Sequence, residues 1–135
     1  MFSTFDMTTA GLRAQRTRMD TIAGNVLNAE TTRNSRGEAE PYRRRFAVLA
    51  PGSAENPKAA GVHVKEIAAD QSAFTQRFEP NHPDANPDTG LVAYPNIDMA
   101  TEQVNLLEAS RAYEAAVSLM QTTKSMFNSS LRMIA

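Results

Sequence analysis

Cysteine is absent from the 135 residues, which excludes disulfides, thiolate metal sites and cysteine nucleophiles. Histidine is scarce, with only His63 and His82. An excess of one charge is missing too: 14 Lys and Arg face 15 Asp and Glu, for a net charge of -1. A generic nucleic-acid binder would carry a strong basic excess, so nucleic acid is not an expected partner. No apolar run approaches the ~18 residues of a membrane span, so no membrane insertion is expected. The opening MFSTFDMTTAGL has neither a basic n-region nor a continuous apolar stretch, and no cleaved secretory signal is expected. Proline is missing from the first thirty and the last thirty-seven residues; all seven prolines lie between them.

The proline-free ends each carry one apolar seam. Phe5, Leu12, Met19 and Val26 fall seven apart near the N-terminus. Met99, Leu106, Tyr113, Met120, Phe127 and Ile134 do the same near the C-terminus. A sustained seven-residue repeat keeps a narrow stripe facing a partner helix, the coiled-coil pattern. The spacing predicts a helix from Thr4 to about Asn28, with Ser3 and Asp6 as a capping box and Phe2 against Met7 as a hydrophobic staple. Its other seam positions are poorer, Thr8 and Gln15 preceding Ile22, and Gly11 and Gly24 each cost about 1 kcal/mol relative to Ala. A second helix is predicted from Met99 to about Met133, capped by Asp98, with Glu102 in its first turn. Small residues, Ala109, Ala116, Thr123 and Ser130, sit between the large ones on its seam and allow close helix approach. A helix of this length cannot be covered by the remaining core of so short a chain, so part of its stripe should be buried by other chains.

The fold class expected is α+β, mainly α, with long terminal helices pairing as a coiled coil around a small β-hairpin and an irregular proline-rich middle. Residues 1–32 and 98–135 would form one helical domain, and 33–97 a small β-containing and extended region. Within that region, Pro41 to Leu49 reads as a strand bounded by Pro41 and Pro51, and Val62, Val64 and Ile67 as a second strand after a connection over 53–60. Residues 79–97 are too rich in proline for a helix and too irregular for an internal strand. The Arg43-Arg44-Arg45 run reads as a solvated strand edge whose charge discourages unwanted pairing.

Candidate chemistry is thin. His82, Asp84 and Asn86 alternate in an extended segment, but transition-metal sites need three or four good ligands in fixed geometry. A turn stabilised by the Asp and Asn side chains is the preferred reading. Phosphate-binding glycine loops and hydrolase or metalloprotease motifs are absent, so no enzyme and no cofactor are expected.

Several segments resemble a known family. Gly11-Leu12-Arg13-Ala14-Gln15-Arg16, then Ile22 through Thr32 with Asn25 and Asn28, is similar to the N-terminal motif of bacterial flagellar axial proteins. Ser110-Arg111-Ala112-Tyr113-Glu114-Ala115 looks like their C-terminal motif. The middle is more specific: Phe78 to Ala85, containing His82, Pro83 and Asp84, then Gly90 to Ile97, containing Tyr94, Pro95 and Asn96, resembles the FlgC type of proximal-rod protein. The resemblance covers nearly the whole chain in order. Departures are local: Leu27 stands where these proteins usually carry Ala, Gly24 and Ala116 replace a polar residue, and Leu91 replaces a common aromatic.

The resemblance implies a structural subunit of the basal-body rod in the periplasmic space, exported by the flagellar type III apparatus. Its terminal helices would pair as an inner layer, and its partners would be copies of itself and other rod proteins. Arg111 and Tyr113 would make interhelix or inter-subunit contacts, and Asn25 and Asn28 would satisfy terminal carbonyls and tie the helix to the middle. Another rod or hook component is the nearest alternative, followed by a small helical secretion adaptor or chaperone. An enzyme built on His82, Asp84 and Asn86 is the remote one, since no base–nucleophile pair accompanies them.

Overall fold

Two long helices are joined by four short strands. The computed structural model describes residues 2–53, 55–56 and 59–134, apart from the side chains of Phe2, Ser3 and Ile134. Helix α1 spans Phe2–Leu27, β1 Arg45–Pro51, β2 Val62–Ala69, β3 Thr75–Phe78, β4 Leu91–Tyr94, and helix α2 Met99–Ile134. At 1.5 Å per residue the helices measure about 39 and 54 Å. Helix α1 begins before Ser3, so Ser3 lies inside the helix and not at its cap; its side chain, and that of Phe2 in the expected staple, lie outside the described residues. Asp98 does cap α2: its carboxylate accepts the Ala100 N–H at 3.2 Å and the Thr101 N–H at 3.3 Å, and the Thr101 hydroxyl as well.

The helices run antiparallel. Arg18 meets Glu108, and seven residues later Asn25 meets Glu102, so the numbering rises on one helix as it falls on the other. Sixteen residues of α1 precede Arg18 and twenty-six of α2 follow Glu108, so α2 runs on for about ten residues, roughly 15 Å, past the start of α1. The β1–β2 hairpin packs along α1, beside α2, and Asn25 reaches both of them. Small side chains there, Ala10 and Ala14, let the strands come close. Gly61 continues that fit: its φ is +123°, and an added Cβ would touch Ala10 at 3.7 Å.

Strands β1 and β2 pair antiparallel from Arg45 opposite Ala69 to Pro51 opposite Val62. The register shifts between Val48 and Leu49, leaving Lys65 as the extra residue of a bulge. The first strand therefore starts at Arg45, four residues after the proline expected to bound it. Residues 41–44 are held otherwise, with the Tyr42 N–H donating to the Thr31 carbonyl at 3.1 Å.

A second antiparallel hairpin, β3 with β4, pairs Thr75 opposite Tyr94 through Phe78 opposite Leu91. This corrects the reading of 79–97 as wholly irregular. Only four residues, Leu91 to Tyr94, fit between Gly90 and Pro95, too few to show a period beside so much proline. They nevertheless bury Val92 and Tyr94 on one face. Gly90 makes the return possible. Its φ is +67°, and an added Cβ would lie 2.8 Å from the Phe78 ring. Gly90→Ala is therefore expected to lower stability by about 1–3 kcal/mol, read as a lower denaturation midpoint with an unchanged slope.

Buried apolar side chains are few among the described residues: Ala14, Ile22, Val92, Tyr94, Pro95 and Ala109. Two are alanines, which remove little area from water. Much of the apolar surface of α2 stays open, including Val104, Leu107, Leu119, Met126, Leu131 and Met133, each at least half exposed.

Candidate assembly surfaces and the buried joint

Three features could serve an assembly role: the helix seams, a buried polar joint where the helices meet β1, and a clamp around Asp84.

On α1 the seam residues Phe5, Leu12, Met19 and Val26 are half-buried, and Ile22 and Thr8 are buried. On α2, Tyr113, Met120 and Phe127 are half-buried, together with the small residues Ala116, Thr123 and Ser130. Met99 and Leu106 stay more than a third exposed in the single chain, and the Ile134 side chain lies outside the described residues. Arg111 is exposed. A second line on α2, Leu119, Met126 and Met133, also repeats every seven residues and points to solvent, at 55%, 66% and 81% exposure. Apolar side chains in such a row mark a contact surface.

The joint is polar and buried. Asn25 and Glu102 are each fully buried. The Asn25 amide donates to the Glu102 carboxylate at 3.0 Å and to the Arg45 carbonyl at 2.8 Å; its oxygen accepts the Arg45 N–H at 2.9 Å and the Tyr42 hydroxyl at 3.3 Å. Asn25 thus grips both backbone groups of the residue that starts β1. Arg44 reaches the other oxygen of Glu102 through two nitrogens, at 2.8 and 2.7 Å. A buried carboxylate needs such an arrangement, a cation and hydrogen bonds together, to offset its lost hydration. Near the end of α1, Asn28 donates to the Gly24 carbonyl at 2.8 Å and accepts the Thr31 hydroxyl.

The inward places of Glu102 and Arg44 were not expected from the sequence. The three arginines were expected at a solvated edge; instead Arg44 turns in to Glu102, Arg43 lies over the Phe74 ring at 4.4 Å, and Arg45 over Tyr42 at 5.5 Å. A signal was present. Glu102 stands seven residues before Ala109, so the seam of small residues on α2 begins with a charged one.

The clamp joins the strap after α1 to the middle segment. Asp84 accepts Arg33 at 2.7 Å and the Thr32 hydroxyl at 2.9 Å, with its side chain only 6% exposed. The Asp84 N–H donates to Nδ1 of His82 at 3.1 Å. Pro83 is exposed between them. His82 meets the Tyr94 ring edge-on at 6.3 Å, and the Tyr94 hydroxyl donates to Glu79 at 3.0 Å, which raises the phenol pKa. Pro95 is buried, and Asn96 donates to the Ser72 hydroxyl at 3.0 Å. His82, Asp84 and Asn86 do not converge: Asn86 turns away, accepting the Asp88 N–H. Among the described residues, no group of three or more His, Asp or Glu is placed to hold a metal. Nor is any described helix long and apolar enough to cross a membrane.

Hydrogen bonds from Arg33 hold the Asp84 carboxyl below its ordinary 3.8. A depressed folded pKa adds stability that is present above the unfolded value and lost as pH falls through the folded one. Thermal melts should therefore drop as pH falls below about 4. In Asp84→Asn the drop should be smaller and the melting temperature lower at pH 7.

Comparison with known proteins shows the family. The family model described as the flagellar basal body rod FlgEFG protein C-terminal region matches residues 89–133, covering β4 and nearly all of α2. A flagellar basal-body rod protein FlgC of Borreliella burgdorferi is 34% identical over 99% of this chain and 97% of its own. The FlgC of Bacillus subtilis is 36% identical over 96% and 95%, and that of Salmonella typhimurium 34% identical over 93% and 92%. These matches run through both helices, the joint and the clamp. With two antiparallel terminal helices and a small β region between them, the chain belongs to the FlgC family of flagellar basal-body rod proteins.

Proposed function

We propose that the chain is a structural subunit of the basal-body rod, polymerising through its terminal helices into a periplasm-crossing drive shaft and export channel. Residues 1–32 and 98–135 act as one helical domain paired as a coiled coil, and 33–97 as the smaller region packed between neighbours. Similarity to FlgC rod proteins over nearly the full length carries this reading. The open apolar surface of α2 supports it, because side chains such as Met126 and Met133 gain by leaving water only when another chain covers them. Rigid lateral and axial contacts would transmit torque without any chemical step. Its partners are copies of itself and other rod proteins, and it reaches the periplasm through the flagellar type III apparatus without signal cleavage.

Purified basal bodies test the proposal. Immunogold against a tagged chain that complements swimming should label the rod between the inner-membrane ring and the hook. Label absent from basal bodies, with the tagged chain recovered as a soluble dimer bound to export cargo, would replace the rod reading by a secretion adaptor.

A further inference from the structure

The heptad seams leave one thing undecided, the register of the two helices. Along α2 the seam alternates small and large side chains every three or four residues: Ala109, Tyr113, Ala116, Met120, Thr123, Phe127, Ser130. Along α1 the large positions Phe5, Leu12 and Met19 recur every seven. Sliding one helix by a heptad, about 10.5 Å, brings side chains of the same size classes together again. Apolar contact therefore separates neighbouring registers weakly, as it does in coiled coils whose register depends on a buried polar residue. In the observed register the seam also holds a polar atom, the Gln15 side-chain oxygen, which is buried without a hydrogen-bond partner.

The joint is where register is decided. Asn25 and Glu102 face each other fully buried, and Arg44 closes on the carboxylate from the residue just before β1. Asn25 also holds both backbone groups of Arg45. The hairpin rests on α1, so Arg44 carries its position across to α2. In either neighbouring register Glu102 would lose Asn25 or Arg44, leaving a carboxylate inside the seam without its partners.

We infer that the Asn25–Glu102–Arg44 cluster is a register lock: Glu102 and Arg44 select one alignment of α1 with α2 among several that helix packing alone would accept. The lock sets how far α2 projects past α1, about 15 Å in this register. That the projection matters to neighbouring subunits rests on the rod-subunit reading; the register itself does not.

Because the chain has no cysteine, introduced thiols report register directly. Arg18→Cys with Glu108→Cys replaces an exposed ion pair and marks the observed register. Arg18→Cys with Ala115→Cys or with Thr101→Cys marks the registers one heptad away on either side. Each full-length pair is treated with a short bismaleimide at dilution, and intramolecular product is scored by its gel shift. In the parent only the 18–108 pair should cross-link. In Glu102→Met with Arg44→Met, whose straight side chains keep the volume, a slipped pair should rise to about a third or more of the product, as for near-isoenergetic states. The melting temperature should be unchanged or higher.

Cross-linking confined to 18–108 in a folded double variant would overturn the lock. So would a lower melting temperature without slippage, which marks a merely stabilising cluster. If the double variant does not fold, Glu102→Gln takes its place. It keeps the shape and the Asn25 bond but lacks the charge, and slipped product above the parent's supports the lock while native product alone rejects it. Swimming does not enter this readout, so failure of the rod-subunit reading would leave the register result standing.

Discussion

Arg44→Ala is expected to destabilise the chain by about 3 kcal/mol, because it strands the Glu102 carboxylate inside the helix junction. Glu102 is fully buried, and Arg44 supplies its charged partner through two short contacts. Asn25 remains as one donor, which places the effect at the low end for a broken buried pair. Arg44→Lys should recover only part of the loss, since an ammonium cannot repeat the two-nitrogen contact of a guanidinium. Denaturation midpoints read both. The exposed Arg18–Glu108 pair is the internal control: Arg18→Ala should change stability by no more than about 1 kcal/mol. Equal losses in the two alanine variants would show that burial at the joint does not matter.

Tyr113→Asp should abolish swimming. Tyr113 is a half-buried large residue on the α2 seam, between Ala109 and Ala116. A carboxylate there would have to shed its hydration in an apolar seam, or the helices would have to part. Tyr113→Phe, which keeps the ring, should swim. Swarm diameter on soft agar measures both, with immunoblots to show that the variants are made. Normal swimming by Tyr113→Asp would remove this residue from the contacts that matter.

Much of the helical frame is legible in the sequence. Heptads and missing prolines place α1 and α2 to within a few residues, and Asp98 before Met99 marks the start of α2. The small-residue seam is readable for the same reason, since period and size are local properties. The joint is harder. Asn25, Tyr42, Arg44 and Glu102 lie on three separate parts of the chain, and nothing local tells an inward arginine from a solvated one. Strand β4 is hidden by its brevity, and β3, exposed along all four residues, has no apolar alternation to read. The clamp shows only one side in the sequence: His82 and Asp84 stand out beside Pro83, but Thr32 and Arg33, some fifty residues earlier, carry no mark of their partner. Long-range polar pairing is set by the tertiary arrangement, whereas the helices announce themselves by period.

Deleting the gene tests whether this chain is a rod subunit built to be covered by neighbours. The deletion strain is scored for swimming and for basal bodies in the electron microscope, with restoration by the intact gene. The predicted result is loss of swimming with no completed rod or hook. Intact flagella on the deletion strain would show that the chain is not a required rod subunit.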